Sequence, residues 1–326
     1  MPELRLSVVI PTYNRRDRLA RVLRAFERQD ANFAEFEVIV VDDGSTDDTS
    51  TWLAAQRPPY RLRTLTLSNG GPARARNAGI EAAEAPLVLF IDDDVEPMPR
   101  LIAEHLKSHD LESNMVVMGP LGSLDHYPQP WVAWEQAKIE AQYAAMARGD
   151  WAPTFRQFWT GNASIERRHL VAAGGFDVTF LRGEDVELGV RLSKQGVGFR
   201  FNPAARGLHH AERSLSSWEN AHTSYGRVEV DIFGKLGEST LLEMLSENWQ
   251  RLNPALRWVV RSCIGNPQRH AAIRSVLRAH LEAARRLELS LMSDKACSLL
   301  ANLCYWEASA QTLGPKRAAV VFEKAR

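Results

Sequence analysis

The residues of this chain most able to do chemistry are three adjacent aspartates, Asp92, Asp93 and Asp94. They follow an apolar run, Leu89–Ile91, that is typical of a buried strand. Because neighbouring like charges repel, a positive partner is expected, and the usual one is a divalent cation held by oxygen ligands and shared with a phosphate. The alternative is a solvated acidic turn. We predict a metal site at the end of this strand.

Two further segments carry residue types that suit a nucleotide. Asp43 follows a second apolar run, and its carboxylate could accept a hydrogen bond from a nucleobase, although aspartate and glycine are also ordinary turn formers. Gly70–Asn77 (GGPARARN) combines a tight turn, a helix start and two arginines. Helix N-termini bind phosphate, and Arg74 or Arg76 could add positive charge. The alternative for these arginines is a solvated basic helix face.

Two segments later in the chain could serve in proton transfer and metal binding. Gly183–Leu188 (GEDVEL) opens a predicted helix, and a carboxylate there, Glu184 or Asp185, could accept a proton from a bound hydroxyl. Acids in a first turn also stabilise the helix dipole, which is the alternative reading. His209 and His210 follow a predicted strand, and neutral imidazole could complete a metal site, although single histidines are more often structural.

The elements that must position these residues alternate between strand and helix over the first 95 residues. The predicted strands are Leu6–Pro11, Glu37–Val41, Arg61–Leu67 and Leu87–Ile91, each separated by helical spacing. This pattern predicts a mostly parallel α/β sheet, in which the carboxyl ends of neighbouring strands share one edge. Tyr13, Asp43 and Asp94 should therefore converge. Helices are also predicted over 131–148 and 184–195, and the chain reads as wholly helical after about residue 213.

The composition of the chain argues against several classes of protein. The 326 residues include 40 basic and 40 acidic side chains, so no overall charge attracts nucleic acid, and we expect no nucleic-acid partner. The three cysteines fit neither a disulfide framework nor a zinc site, and buried thiols in a reducing cytoplasm are the simpler reading. The sequence contains no run of about eighteen apolar residues, so we predict no transmembrane helix. We expect a cytoplasmic protein, with peripheral contact at the inner membrane face left open.

Taken together, six segments resemble glycosyltransferase family 2, whose members use nucleotide sugars and have the GT-A fold. They occur in the family's order and span about residues 5–212. The matching segments are SVVIPTYNR (7–15), VVDDGSTDDT (40–49), GGPARARNAGI (70–80), LFIDDDVEP (89–97), TGNASIERRHLVAAGGFD (160–177) and GEDVELGVRL (183–192).

The resemblance implies a donor-binding site. Pro11 and Tyr13 match family positions that line the uridine pocket, and Asp43 matches the acid that reads the base. Arg76 matches an arginine near the nucleotide and its phosphates. Gly175 lies in a loop similar to the family's loop facing the sugar, and glycine permits close approach of backbone to ligand.

The resemblance also implies a metal centre. Asp92 and Asp94 match the family's D-x-D motif, with Asp94 expected to contact Mn²⁺ or Mg²⁺ and Asp92 the ribose or a metal-bound water. Asp93 could replace either if the register slips by one residue. His209 or His210 corresponds to a late histidine that some GT-A enzymes use as a further metal ligand.

Asp185 matches the family's catalytic base, with Glu184 as its neighbour. The resemblance implies an inverting, metal-dependent enzyme that moves a sugar, UDP-linked by the likeness at Tyr13 and Asp43, to a hydroxyl of a glycan, a lipid-linked or another acceptor in cell-surface glycan or glycolipid synthesis. Trp151 and Trp159 are candidate acceptor contacts, because indole faces pack on sugars.

The expected organisation is a GT-A domain over 1–212, with a nucleotide-binding half (1–95) and an acceptor half (96–212), followed by a helical region over 213–326. That region could mediate oligomerisation. Two rival readings are a non-catalytic nucleotide-sugar-binding scaffold and a sugar nucleotidyltransferase. The second is disfavoured because no glycine-rich loop follows the first strand. A dinucleotide-binding oxidoreductase is disfavoured because that position has no G-x-G-x-x-G segment.

Overall fold

The computed structural model describes residues 3–180, 182–287 and 293–323. The strands are β1 Leu6–Thr12, β2 Phe36–Asp42, β3 Arg61–Thr66, β4 Leu87–Ile91, β5 Val95–Pro97, β6 Met115–Met118, β7 Leu121–Gly122, β8 Asn162–Glu166, β9 Gly198–Phe201 and β10 Gly207–His209. The helices are α1 Arg16–Phe26, α2 Thr49–Ala54, α3 Pro72–Ala82, α4 Leu101–Leu111, α5 Pro130–Arg148, α6 Arg167–Ala173, α7 Glu184–Lys194, α8 Leu215–Gly234, α9 Glu238–Gln250, α10 Pro254–Cys263, α11 Pro267–Arg286 and α12 Asp294–Glu323.

The central sheet has seven strands in the order β3-β2-β1-β4-β8-β6-β9. Strands β1 to β4 are mutually parallel, β8 runs antiparallel to β4 and β6, and β6 and β9 are parallel. Strands β2 and β4 are buried along their whole length, which explains why their sequences are mainly apolar rather than alternating. The predicted α/β class with a mostly parallel sheet is therefore confirmed.

Alternate residues of β1 pack into different core layers, because successive side chains of a strand point to opposite faces. Val8 and Ile10 join one apolar cluster with Leu19 and Phe26 of α1. Val9 joins a second cluster that includes Ile80 of α3. Two covered faces fix the register of β1, and with it the place at which the strand ends.

A second sheet of three short strands has the order β5-β10-β7. Strand β10 pairs antiparallel with β5, and His209 lies opposite Val95. This pairing brings the end of β10 beside the aspartates that precede β5.

The chain divides into two compact units. The first comprises residues 1–125 and 137–211, and the second comprises 126–136 and 212–326. The sequence-based boundary at residue 212 assigned 126–136 to the first domain, whereas these residues belong to the second unit. Within it, Trp131 is 1% exposed and its indole Nε1 donates a hydrogen bond to the backbone oxygen of Arg213 at 2.8 Å.

All regular secondary structure within the described part of residues 213–323 is helical, as predicted. Pro254 and Pro267 begin α10 and α11, at the positions where the missing N–H group has least effect. Gly314 interrupts α12 with a φ of 73°, directly before Pro315. All three cysteines are buried free thiols. No helix in the described part of the chain combines the length and apolarity needed to cross a bilayer.

Candidate active site

The carboxyl ends of β1, β2 and β4 meet at one edge of the sheet, as the sequence predicted. Thr12, the last residue of β1, lies beside Asp42 of β2. The backbone N–H of Asp43 donates to the Thr12 carbonyl at 2.9 Å. The Thr12 hydroxyl donates to Asp93 Oδ2, just beyond β4, at 2.8 Å. Side chains from three distant parts of the sequence thus share one edge.

Asp93 points into the protein. Its side chain is nearly enclosed, and its second carboxylate oxygen, Oδ1, accepts a hydrogen bond from Arg15 Nη1 at 2.8 Å. Burial raises the pKa of Asp93 to about 6, against the opposing charge of Arg15. Asp92 is 38% exposed. This arrangement favours the Asp92 and Asp94 register over the one-residue slip that would have used Asp93.

Arg76 joins the two acidic motifs. From helix α3, its Nη2 donates to Asp92 Oδ1 at 2.7 Å and its Nη1 donates to Glu184 Oε1 at 2.8 Å. The guanidinium is buried, and its Nε has no hydrogen-bond partner among the described residues. Arg76 therefore ties the end of β4 to the start of α7. Its predicted contact with phosphate stays a prediction.

Asp185 lies in the first turn of α7, after Gly183, which has a left-handed φ of 69°. One carboxylate oxygen accepts the backbone N–H of Val186 at 2.8 Å. Burial, followed by the charge of Glu184, raises the pKa of Asp185 to about 7, while Arg76 opposes the rise. A carboxylate with a pKa near neutrality is a stronger general base than an ordinary aspartate.

Asp94 lies close to one histidine and two arginines. Its Oδ1 is 3.7 Å from His209 Nε2, while its Oδ2 accepts from Arg15 at 3.3 Å and lies 3.7 Å from Arg18. His210 instead contacts Glu96, with Nε2 2.9 Å from Oε2. Of the two histidines that the sequence left open, the structure brings His209 to Asp94.

The donor types at Asp94 fit a divalent cation. Carboxylate oxygen and neutral imidazole are both suitable ligands for Mn²⁺, and Mg²⁺ favours carboxylate oxygens and water. No group of three or more His, Cys, Asp or Glu side chains in the described ranges is arranged as a metal site. The protein therefore offers Asp94 and His209 as a partial ligand set, and the other ligands would come from elsewhere.

Asp43 holds the turn that opens α3. Its Oδ1 accepts the Gly70 N–H at 2.9 Å and its Oδ2 accepts the Gly71 N–H at 2.7 Å. Tyr13, two positions after the partly buried Pro11, is 43% exposed. The backbone places an exposed aromatic ring and a buried carboxylate at the ends of neighbouring strands. Whether they bind a base stays a prediction.

Gly175 lies where a side chain would not fit. Its φ is 71°, and a Cβ built on it would lie 2.6 Å from Asn77 Oδ1. Asn77 holds the adjoining residue on both sides, because it accepts from the Phe176 N–H at 2.7 Å and donates to the Phe176 carbonyl at 2.8 Å. The loop is thus fastened to α3 close to Arg76.

The two tryptophans proposed as acceptor contacts differ in surroundings. Trp151 is 36% exposed. Trp159 is partly buried against the core, with its ring edge-to-face to Tyr143 at 5.9 Å. Of the two, Trp151 is the more accessible to an acceptor.

Sequence reasoning missed Thr12, Arg15 and Arg18, which hold Asp93 and Asp94. The available signal was the cluster of arginines at positions 15, 16 and 18, directly after the first strand. Arginines at the start of the first helix lie at the same sheet edge as the aspartates that follow β4. The positive charge expected beside the aspartates is therefore supplied, in part, by the chain itself.

The fold defines an α/β domain of the GT-A kind. Residues 7–170 match the family model described as glycosyl transferase family 2. The chain belongs to this family, as the sequence motifs indicated.

Named relatives support the same family. The chain is 34% identical to validoxylamine A glucosyltransferase of Streptomyces hygroscopicus subsp. jinggangensis (strain 5008), over 73% of this chain and 62% of that protein. It is 26% identical to chondroitin synthase of Escherichia coli, over 63% of this chain and 34% of that protein. The chain thus spans about three fifths or less of the length of these two relatives.

Solved structures show the same fold. Staphylococcus aureus TarS 1-349 in complex with UDP-GlcNAc superposes with a TM-score of 0.56 at 19% identity, covering 94% of this chain and 91% of that one. The mannosyltransferase PcManGT of Pyrobaculum calidifontis, in complex with GDP-Man and Mn²⁺, superposes with a TM-score of 0.60 at 19% identity, covering 94% and 88%. The expected GT-A fold is therefore confirmed.

Proposed function

We propose that this protein is a metal-dependent, inverting glycosyltransferase that moves a sugar from a nucleotide sugar to an acceptor hydroxyl. One observation carries the proposal: Arg76 bridges Asp92 of the D-x-D motif to Glu184, the neighbour of Asp185. The motif assigned to the donor and the motif assigned to the base are therefore adjacent. Family membership and the relatives named as glycosyltransferases support the same reaction class.

The donor side is assigned to the ends of β1 and β2. Tyr13 would pack against the base and Asp43 would accept a hydrogen bond from its N–H group. The two structural neighbours bind UDP-GlcNAc and GDP-Man respectively, so the fold accommodates more than one base. The preference for UDP depends on the motif resemblance at Tyr13 and Asp43.

The metal is assigned to Asp94 and His209, with Asp92 near the ribose or a metal-bound water. A divalent ion would supply Lewis-acid stabilisation of the negative charge that develops on the leaving diphosphate. The presence of Mn²⁺ in the PcManGT complex supports this choice of cofactor. Asp94 and His209 would hold the ion, and Arg76 would keep Asp92 in place.

Asp185 is assigned as the general base. The acceptor hydroxyl oxygen attacks the anomeric carbon opposite the diphosphate, a new C–O bond forms, and the bond to the phosphate oxygen breaks. The hydroxyl proton passes to Asp185, and the anomeric configuration inverts. Glu184 raises the pKa of Asp185 by its charge, so it acts on the base rather than on the substrate.

One screen tests donor, sugar and metal together. The melting temperature is measured with nucleoside diphosphates and nucleotide sugars, with and without Mn²⁺, because a ligand that binds the native state raises it. A metal-dependent shift with one nucleotide series is expected. Mn²⁺-dependent hydrolysis of the stabilising sugar nucleotide then separates an enzyme from a non-catalytic scaffold. Formation of a sugar nucleotide from a sugar phosphate would indicate a nucleotidyltransferase instead.

Peripheral membrane contact is assigned to helix α10 of the second unit. Trp258 is 74% exposed, and it lines a groove of about 570 Å³ with Arg257 and Arg261. Tryptophan and arginine on one amphipathic helix favour the interface of an anionic bilayer. Sedimentation with anionic but not neutral vesicles, weakened in Trp258→Ser, is expected. Equal sedimentation of both proteins would remove this assignment. A lipid-linked acceptor would fit such contact.

A further inference from the structure

Arg15 occupies an unusual position at the proposed metal centre. Its Nη1 donates to Asp93 Oδ1 at 2.8 Å and to Asp94 Oδ2 at 3.3 Å. The side chain is nevertheless 45% exposed, in contrast to Arg76, whose side chain is 6% exposed. Arg76 is a buried bridge, whereas the Arg15 side chain is held at its guanidinium and is nearly half exposed.

The backbone that carries Arg15 is fixed. Asn14 has a left-handed φ of 53°, and its N–H donates to the Ser45 hydroxyl at 2.9 Å. Its side-chain oxygen accepts the Thr46 N–H at 2.7 Å. These bonds tie the β1–α1 turn to the loop after β2. Any movement of Arg15 is therefore confined to its side chain, because the Arg15 backbone stays at a constant position at this edge of the sheet.

We propose that Arg15 is an exchangeable counter-charge of the active site: it neutralises Asp94 until a divalent cation and a nucleotide diphosphate bind, and it then transfers to the diphosphate. This inference rests on the proposed function. It assigns Arg15 a positioning role toward the metal and a binding role toward the donor phosphates.

The exchange follows from charge and geometry. A cation held by Asp94 and His209 would repel the positively charged Arg15 guanidinium at the same carboxylate. The cation and Arg15 therefore compete for Asp94. After the transfer, the buried Asp93 keeps its hydrogen bond from the Thr12 hydroxyl at 2.8 Å, and Arg18, 3.7 Å from Asp94, stays at the same sheet edge. A guanidinium matches phosphate oxygens with two parallel hydrogen bonds, which gives the displaced arginine a better partner than solvent.

The experiment measures the two affinities separately. Mn²⁺ binding without nucleotide is followed by the EPR signal of free Mn²⁺, and binding of UDP, or of the diphosphate selected by the screen, is followed by calorimetry at saturating Mn²⁺. In Arg15→Ala, Mn²⁺ alone should bind about two- to fivefold more tightly, because an exposed competing ion pair is lost. The diphosphate should bind about tenfold or more weakly, because a charge-assisted contact is lost. A tighter affinity for Mn²⁺ together with a weaker affinity for the diphosphate is the result that identifies the exchange.

Two variants make the result specific. Arg16→Ala removes the adjacent arginine, which is exposed and paired with Asp17 and Asp48, and it should change neither affinity. Arg15→Lys keeps the charge, so it should keep the wild-type Mn²⁺ affinity and lose part of the diphosphate affinity, because the forked geometry is absent. A single cooperative thermal unfolding transition in each variant confirms that the variants fold.

The outcomes separate the inference from the proposed function. Wild-type affinities in Arg15→Ala, or a weaker Mn²⁺ affinity, would overturn the inference while leaving the proposed function intact. Absence of both Mn²⁺ and diphosphate binding in the wild type would overturn the proposed function and the inference together. A change of equal size in Arg16→Ala would show that only general surface charge is being measured, and would also overturn the inference.

Discussion

Replacing Asp185 with asparagine should stabilise the protein while removing its catalytic base. The environment of Asp185 raises its pKa from 3.8 to about 7. At about 1.36 kcal/mol per pKa unit, the upper value of the penalty for ionisation is about 4 kcal/mol. Because the residue is only half-buried, solvent screening reduces this to about 2 kcal/mol. Asparagine has no charge to desolvate, so the variant should recover that amount.

The sign and the pH window follow from the direction of the shift. Because the pKa of Asp185 is raised in the folded state, the protonated carboxyl contributes its full share of the free energy of unfolding below about pH 4. This contribution is lost as the pH rises through about 7. The gain in Asp185→Asn should therefore be absent at pH 4 and complete at pH 8. For a unit of this size, about 2 kcal/mol corresponds to roughly 4–8 °C in melting temperature.

The assay is thermal unfolding at several pH values, with Asp125→Asn as the control at an exposed aspartate. Asp93, whose pKa is also raised, is present in both proteins and cancels from the comparison. A variant that is less stable than the wild type at pH 8, or a gain of equal size at pH 4 and pH 8, would refute desolvation as the cause.

The same change should strongly reduce turnover. Loss of a general base lowers the rate about 10²- to 10⁴-fold, while donor binding should change far less. In the wild type, kcat/KM should rise with pH and level off above about 7, since the base acts when deprotonated. Near-normal turnover in Asp185→Asn would remove the base assignment.

The remaining predictions concern a loop, a bridge and the metal. Gly175→Ala should destabilise by about 2–3 kcal/mol in urea unfolding and Gly174→Ala by about 1, because both have positive φ but only the first clashes with Asn77. Arg76→Met should destabilise by about 3–5 kcal/mol, since it leaves two carboxylates unpaired, whereas the exposed Arg74→Met should change stability by less than about 0.5 kcal/mol. EDTA should abolish nucleotide-induced thermal stabilisation, and Mn²⁺ should restore it; equal stabilisation in both would contradict metal dependence.

The sheet edge was predictable because apolar runs in the sequence indicate which strands are buried. Residues 87–91 form β4 as expected, and helix α7 begins at Glu184 as expected. A short continuous apolar run bounded by turn signals is consistent with a buried parallel strand, and its length favours a strand over a helix. The carboxyl ends of those strands then had to share an edge, which placed the aspartates after β4 near Thr12.

Side-chain partners were not predictable in the same way. The direction of Arg15 depends on the left-handed Asn14 and on its bonds to the loop after β2, which lies about thirty residues away. The direction of Arg76 depends on where α7 begins relative to β4. Similarly, the assignment of residues 126–136 to the second unit depends on packing, such as that of Trp131, and not on any local signal.

The balance of charge explains why this site should need a cation. Five carboxylates, of Asp92–Asp94 and Glu184–Asp185, face the three guanidinium groups of Arg15, Arg18 and Arg76. Incomplete compensation, added to burial, contributes to the raised pKa values of Asp93 and Asp185. The excess negative charge favours a divalent ion at Asp94. It follows that Arg15→Ala, which increases the excess, and Asp185→Asn, which decreases it above pH 7, should shift Mn²⁺ affinity in opposite directions. The double variant should lie near the wild type in the EPR titration, whereas shifts of the same sign would show that charge balance does not set the affinity.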